Sequence, residues 1–279
     1  TLYFAEGHTS QQFQEYLTLN NPHSLDALAR VTYILPQGAE ECVSYAVPAR
    51  TRRTLNVNDE LSGRLGYSGD VGLKVQCELD IFVERPMYFD YFGKWKGGHV
   101  GRGADSLADK WYFAEGYTGG QFEMWVCILN PNEENAVCSF HFQTQEEEEE
   151  IVKEGLVVPA HSRQTFNANQ LLEGKAYNTS LLVESSLPVV AERAMYFSYA
   201  YGDLTAQGGS CVMGATDLSD AYFFAEGTTR DGFHEWITLQ NPNDYEINVE
   251  AVYFPGQRQG DPITGSYTLK KQSRNTVFV

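Results

Sequence analysis

The stretch Trp111-Tyr112-Phe113-Ala114-Glu115-Gly116 decides the fold, because most of it occurs three times in the chain. Tyr3 to Gly7 reads YFAEG, and Phe223 to Gly227 reads FFAEG. Gly7 and Gly116 lie 109 residues apart, and Gly116 and Gly227 lie 111 apart. The match continues downstream. Phe13, Phe122 and Phe233 correspond, as do Asn21-Pro22, Asn130-Pro131 and Asn241-Pro242. Val47-Pro48-Ala49 matches Val158-Pro159-Ala160, and Arg52, Arg163 and Arg274 occupy one position shortly after it. Late in the unit, Glu84 to Phe89 (ERPMYF) matches Glu192 to Phe197 (ERAMYF). A period of about 110 residues is the size of a whole domain, not of a solenoid repeat. Val279 corresponds to Ala168, so the counterparts of residues 169–200 are missing from the third copy.

The middle copy predicts strands near 111–115, 122–130, 135–143, 151–159, 163–168, 177–185 and 188–199, with a helical turn at 169–173. In the second strand Phe122, Met124, Val126 and Ile128 share one face, and the matching Phe13, Glu15, Leu17 and Leu19 share another. That period of two is a strand's, with one face turned to a core. Seven short strands between turn residues indicate a sandwich. The expectation is an all-β chain of tandem immunoglobulin-like seven-stranded β-sandwich domains, the third incomplete. Boundaries fall at 1–92, 111–200 and 222–279. Gly-rich links at 93–110 and 201–221 join them, either as flexible spacers or, with slightly more support from Trp95 and Val212-Met213, as hairpins bridging domains.

The net charge of −17 repels phosphate backbones, which excludes nucleic acid as an expected partner. No apolar run is long enough for a transmembrane helix, so membrane insertion is not expected. The chain opens on Thr1 inside an apolar run, which suggests a processed or longer polypeptide. Five cysteines cannot all pair within one chain, and no C-x-x-C occurs. Cys127 and Cys138 lie on opposite-parity faces, so no bond between them is expected.

The combined pattern WYFAEG-x-T, then NPN, VPA-x-SR-x-T and AER-x-MYF, resembles tandem β-sandwich repeats of large secreted or cell-surface bacterial proteins. Residues 111–197 carry every element, and Gly97-Gly98-His99…Gly101 matches the G-G-H…G pattern that usually joins such repeats. Copy one has Leu2 for the first Trp, copy three has Lys270-Lys271 for Pro-Ala, and the second link reads Gly208-Gly209-Ser210. The resemblance implies an extracellular or cell-surface location and a structural or adhesive role without catalysis.

Candidate sites follow from recurrence. Glu6, Glu115 and Glu226, with Arg85 and Arg193, suggest an ion pair tying a domain's first strand to its last. Arg52, Arg163 and Arg274 are expected to bind loop carbonyls of their own domain, since arginine presents five donors in a fixed fork. Tyr16, Trp125 and Trp236, with Trp95, are the candidate ligand or interface aromatics. The run Glu146–Glu150 lacks the spaced ligands of a calcium loop and reads as a solvated hairpin tip. No H-E-x-x-H, G-x-S-x-G or dinucleotide fingerprint occurs, so no catalytic, metal or cofactor site is assigned. The expected function is a self-associating structural segment of a filament, stalk or surface layer, its unfinished third domain explained either by the chain being an excerpt of a longer array, the reading given more weight, or by strands of the next subunit completing it head to tail. The alternative is a glycan- or partner-binding adhesion module, accessory to a hydrolase elsewhere in a longer chain.

Overall fold

The computed structural model describes residues 1–256 and 260–279. The chain is predominantly β. In the first repeat the strands are β1 (Leu2–Phe4), β2 (His8–Thr9), β3 (Phe13–Asn21), β4 (Ala27–Ile34), β5 (Glu40–Val47) and β6 (Thr51–Asn56). Helix α1 (Val57–Leu65) precedes β7 (Gly69–Asp70), β8 (Gly72–Gln76), β9 (Phe82–Tyr91) and β10 (Trp95–Arg102). One sheet has the order β1-β8-β4-β5, the other β10-β9-β3-β6, and β2 pairs with β7. The two larger sheets face each other over a core that includes Phe4, Val31 and Leu73 from one and Leu17, Leu19 and Leu55 from the other. Alternation along β3 places these apolar side chains inward, as the period of two requires.

The second repeat comprises β11 (Ala108–Phe113), β12 (Phe122–Asn130), β13 (Ala136–Thr144), β14 (Ile151–Val158), β15 (Ser162–Asn167), α2 (Ala168–Leu171), β16 (Thr179–Tyr201) and β17 (Leu204–Met213). The two strands expected at 177–185 and 188–199 are one 23-residue strand. Its first half pairs with β13 and β11, its second with β12 and β17. Ladder pairing with β13 ends at Ser185, and pairing with β12 begins at Val190. Pro188 sits in that gap, where the strand changes sheets and needs no N–H for either ladder. In the first repeat the same path is interrupted between β8 and β9.

The Gly-rich stretches are not flexible links. Residues 95–102 and 204–213 are strands, paired in register with β9 and β16. These two hairpins stack across the boundary between repeats, where Trp95, Met87 and Phe89 meet Cys211, Ala194 and Tyr196. Glycine is required there by close approach: a Cβ on Gly209 would stand 2.7 Å from the Phe89 ring.

The third repeat retains β18 (Trp236–Asn241), β19 (Ile247–Tyr253), β20 (Ile263–Leu269) and β21 (Ser273–Phe278). They form two separate two-stranded ladders, β18-β21 and β19-β20. These are the counterparts of β12-β15 and β13-β14. The FFAEG segment forms no strand, and Phe223 is 95% exposed.

The Asn of each Asn-Pro turn does more than end a strand. Asn130 Nδ2 donates to the carbonyls of Glu134, Val158 and Pro159 at 2.8, 3.0 and 3.0 Å, while its Oδ1 accepts from Asn132 N at 3.0 Å. Asn21 and Asn241 repeat the arrangement on their own loops. Each asparagine thereby clamps the β3–β4 type of turn to the end of the β5-type strand. Asn58 and Asn169 make a second clamp, each donating from Nδ2 to one carbonyl of the loop before β3 or β12 and to the carbonyl of that strand's first residue. Replacing the fully buried Asn130 with leucine orphans these carbonyls and is expected to cost about 2–4 kcal/mol in denaturant-measured stability.

Candidate functional site

The residues singled out for recurrence converge on the boundary between repeats one and two. Glu192, on β16, is buried and crosses to the first repeat. Its Oε2 accepts from the backbone N–H groups of Ala5 at 2.8 Å and Glu6 at 2.7 Å, and from Arg85 Nη1 at 3.0 Å. Arg85 Nη2 also pairs with Glu6 Oε2 at 2.7 Å, and Nη1 donates to the Glu6 carbonyl. Burial works against the Arg85 charge, but the Glu192 and Glu6 carboxylates outweigh it and hold the guanidinium firmly protonated. Gly101 makes room beneath, since a Cβ there would meet Arg85 Nη2 at 3.0 Å.

Arg163 forms a second arm. Its Nε donates to the Ala5 carbonyl at 3.1 Å, and Nη1 pairs with Asp70, which also accepts from Thr165 Oγ1 at 2.8 Å. His8 Nδ1 lies 2.6 Å from the other Asp70 oxygen. Burial raises the Asp70 pKa, but the Arg163 charge and these hydrogen bonds reverse it and hold the carboxyl well below its usual range. Arg163 thus binds the preceding repeat's carbonyl and carboxylate, not loop carbonyls of its own domain as expected. Arg52 occupies the same position in repeat one and is exposed.

The second junction is built only in part, and Arg274 Nε and Nη1 have no partner among the described residues, whereas Arg163 Nε bonds the Ala5 carbonyl. Arg274 Nη2 reaches Glu115 Oε2 at 3.3 Å, and Gln240 Nε2 reaches Gln143 Oε1 at 3.2 Å. Arg193, the counterpart of Arg85, is 4% exposed and pairs with no carboxylate among the described residues. Its Nη1 contacts Met195 Sδ at 3.7 Å, and burial lowers its pKa despite the Glu115 charge. The expected Glu115–Arg193 pair is therefore absent among the described residues, whereas Glu6–Arg85 is present. Glu226 is exposed.

The aromatics divide by position. Trp125 is half-buried against the cluster joining the first two repeats, and Trp95 is buried in it. Tyr16 packs edge-on to the exposed Tyr88, 6.1 Å between centroids. Trp236 is 38% exposed and lies against Phe278, 4.5 Å between centroids. They do not form one platform. The acidic run is partly bonded: Glu146 accepts from Asn178 and Glu147 from the Tyr177 hydroxyl, so it is not wholly solvated. All five cysteines are free thiols.

Glu15 is the residue sequence reasoning passed over. It occupies an inward position held by Met124 in repeat two, is fully buried, and neither carboxylate oxygen has a partner among the described residues. Burial pushes its pKa up to about 8, although Arg85 and Arg163 pull the other way. Its polar head among apolar neighbours in β3 was the available signal.

No protein-family model matches the chain, and no curated protein matches it. Several solved structures resemble parts of it, among them two of low identity. The crystal structure of Thermotoga maritima 1070 has 20% identity and a TM-score of 0.34, covering 40% of this chain and 96% of that one. The Anabaena sensory rhodopsin transducer has 23% identity and a TM-score of 0.28, covering 31% of this chain and 87% of that one.

Two predictions follow from this geometry. Arg85→Met strands the Glu192 and Glu6 carboxylates and is expected to cost about 3–5 kcal/mol, with separate calorimetric transitions for the first two repeats in place of one. For Glu15 the folded pKa is raised, so its favourable contribution is complete below the unfolded value and is lost as pH rises through the folded one. Glu15→Met should therefore stabilise the chain by on the order of 2–4 kcal/mol near pH 9 and by little near pH 5, measured by urea unfolding at both.

Proposed function

We propose that this chain is a non-catalytic structural segment, built of tandem immunoglobulin-like β-sandwich repeats that stack into a rigid rod within an extracellular filament, stalk or surface layer. The observation that carries the reading is the first junction. Its hydrogen bonds and ion pairs join main chain and side chains of one repeat to side chains of the next, with Glu192, Arg85 and Arg163 all buried. A flexible string of domains has no use for such a junction, because a buried ion pair fixes geometry more than it adds stability. The aromatic cluster over the same boundary removes the remaining freedom. A rod of defined repeat-to-repeat angle serves as a spacer or a fibre subunit.

The adhesion reading keeps one support, the exposed Tyr88 with Tyr16 and Phe82 on the outer face of the first repeat. The edge-on packing of the two tyrosines, however, gives no flat platform for a sugar ring.

Electron microscopy of native material, together with the intact mass of the polypeptide, tests the structural reading. Ordered fibres or straight stalks, periodic along their axis at the repeat spacing, are the expected result. Dispersed particles with freely varying angles between repeats would sink it and favour the glycan-binding alternative.

A further inference from the structure

The first junction is a template against which the second can be measured. There, one carboxylate is received by two backbone amides and a buried arginine. The counterparts of Ala5, Glu6 and Arg85 in the second repeat are Ala114, Glu115 and Arg193. Among the described residues no acceptor meets the Ala114 or Glu115 N–H groups. Arg193 is almost wholly buried, its Nε has no partner, and its closest side-chain acceptor is a thioether. A buried guanidinium without an anion is costly, and an arginine fork is made for a carboxylate.

The strand that would bring the carboxylate also has a place. Glu84 stands opposite Thr18 across the β3–β9 ladder, and Glu192 opposite Cys127 across β12–β16. The matching position in the third repeat is Thr238 on β18. Strand β18 is paired with β21 on one side and, among the described residues, has no strand on the other. On β16, Glu192, Ala194 and Tyr196 share the face turned to repeat one. Tyr196 lies edge-on to Phe13 and Phe89, with centroids 5.8 and 5.0 Å away. The counterparts Phe122 and Phe197 form a stacked pair 5.4 Å apart on the second repeat.

We propose that the open edge of β18 receives a β-hairpin of the β16–β17 type, and that its glutamate enters the receptor formed by Arg193 and the Ala114 and Glu115 amides. The hairpin pairs its glutamate opposite Thr238. It carries a small residue two positions later and an aromatic four positions later, the E-x-A-x-Y face of residues 192–196. This inference rests on the stacked-array reading above and names the partner at its second junction.

The probe is a synthetic peptide spanning residues 179–213, titrated calorimetrically into the full chain. Saturable one-to-one binding is expected, together with a rise in melting temperature. A Glu192→Gln peptide should bind at least about tenfold more weakly, because a charge-assisted bond to buried arginine is lost. Arg193→Met in the chain should weaken the unmodified peptide similarly. That variant removes an uncompensated buried charge, so it should melt no lower than the parent. A second test appends residues 169–213 after Val279, with expected stabilisation that Gln in place of the appended glutamate reduces. Equal affinity of the Glu and Gln peptides overturns the proposal. So does failure of both the peptide and the appended segment to stabilise the chain. Self-association of the chain abolished by Arg193→Met, without peptide binding, overturns the hairpin as occupant. If these fail while Arg85→Met still splits the first two repeats, the second-junction proposal alone falls. If the first two repeats also melt independently in the unmodified chain, the array reading falls with it.

Discussion

The Glu192 carboxylate is the constraint on which the arrangement of repeats depends. A carboxylate this far from water is tolerable only with its oxygens met by donors, and every donor to Oε2 belongs to the neighbouring repeat. The two backbone amides are fixed by the chain that follows β1, so they cannot adjust to a shifted partner as a side chain would. A small rotation between repeats would strand the Glu192 carboxylate and leave Arg85 with Glu6 alone. Period-two geometry ties this polar lock to apolar packing, since Ala194 and Tyr196 stand on the same face of β16 as Glu192. The lock and the aromatic cluster are thus one interface, with the lock setting its angle and the cluster supplying apolar burial.

Much of this architecture was legible in the sequence, because a domain-length repeat lets three noisy strand patterns be read against one another. The strand at 122–130 was placed to the residue, since alternation and the Asn-Pro turn bound it at both ends. Glycine alone left two readings open for the links, and the apolar Trp95 and Val212-Met213 tipped them towards the bridging hairpins that are found. Gly97-Gly98 and Gly208-Gly209 look like loop composition, but Gly97 and Gly209 answer to the close approach of Phe89, and Gly209 also to that of Tyr196. Such an approach is a long-range fact with no local signature. The Asn-Pro motif was legible as a boundary through its proline, while the physical work belongs to the asparagine amide.

The site residues were found by recurrence, but their partners were not. Recurrence in every copy argued for a role within each domain, and for Glu6 with Arg85 that role exists. It is equally compatible with a role between copies. Arg163 and Glu192 act there, and nothing in one sequence separates the two cases. Burial does. Phe82 and Tyr88 are 68% and 58% exposed, whereas Val190 and Tyr196, at the same positions one repeat later, are 0% and 6%. Local sequence barely differs between these strands, so the difference in burial comes from the neighbouring repeat.

That comparison also fixes the kind of interface. The outer face of the β10-β9-β3-β6 sheet carries the residue types that β16 buries on the first repeat: a glutamate flanked by an aliphatic or aromatic residue before it and a tyrosine after it. The inner side of the same sheet carries the receptor, Arg85 with Met87 and Phe89. The first two repeats therefore carry donor-type and receptor-type residues on different surfaces, not on one self-complementary patch. A contact of this heterologous type does not close on itself unless the rotation between units brings it round, and otherwise it extends in one direction. The handedness and pitch of any such array are set where the polar lock is set, by the angle at which Glu192 must enter to reach two amides and an arginine at once.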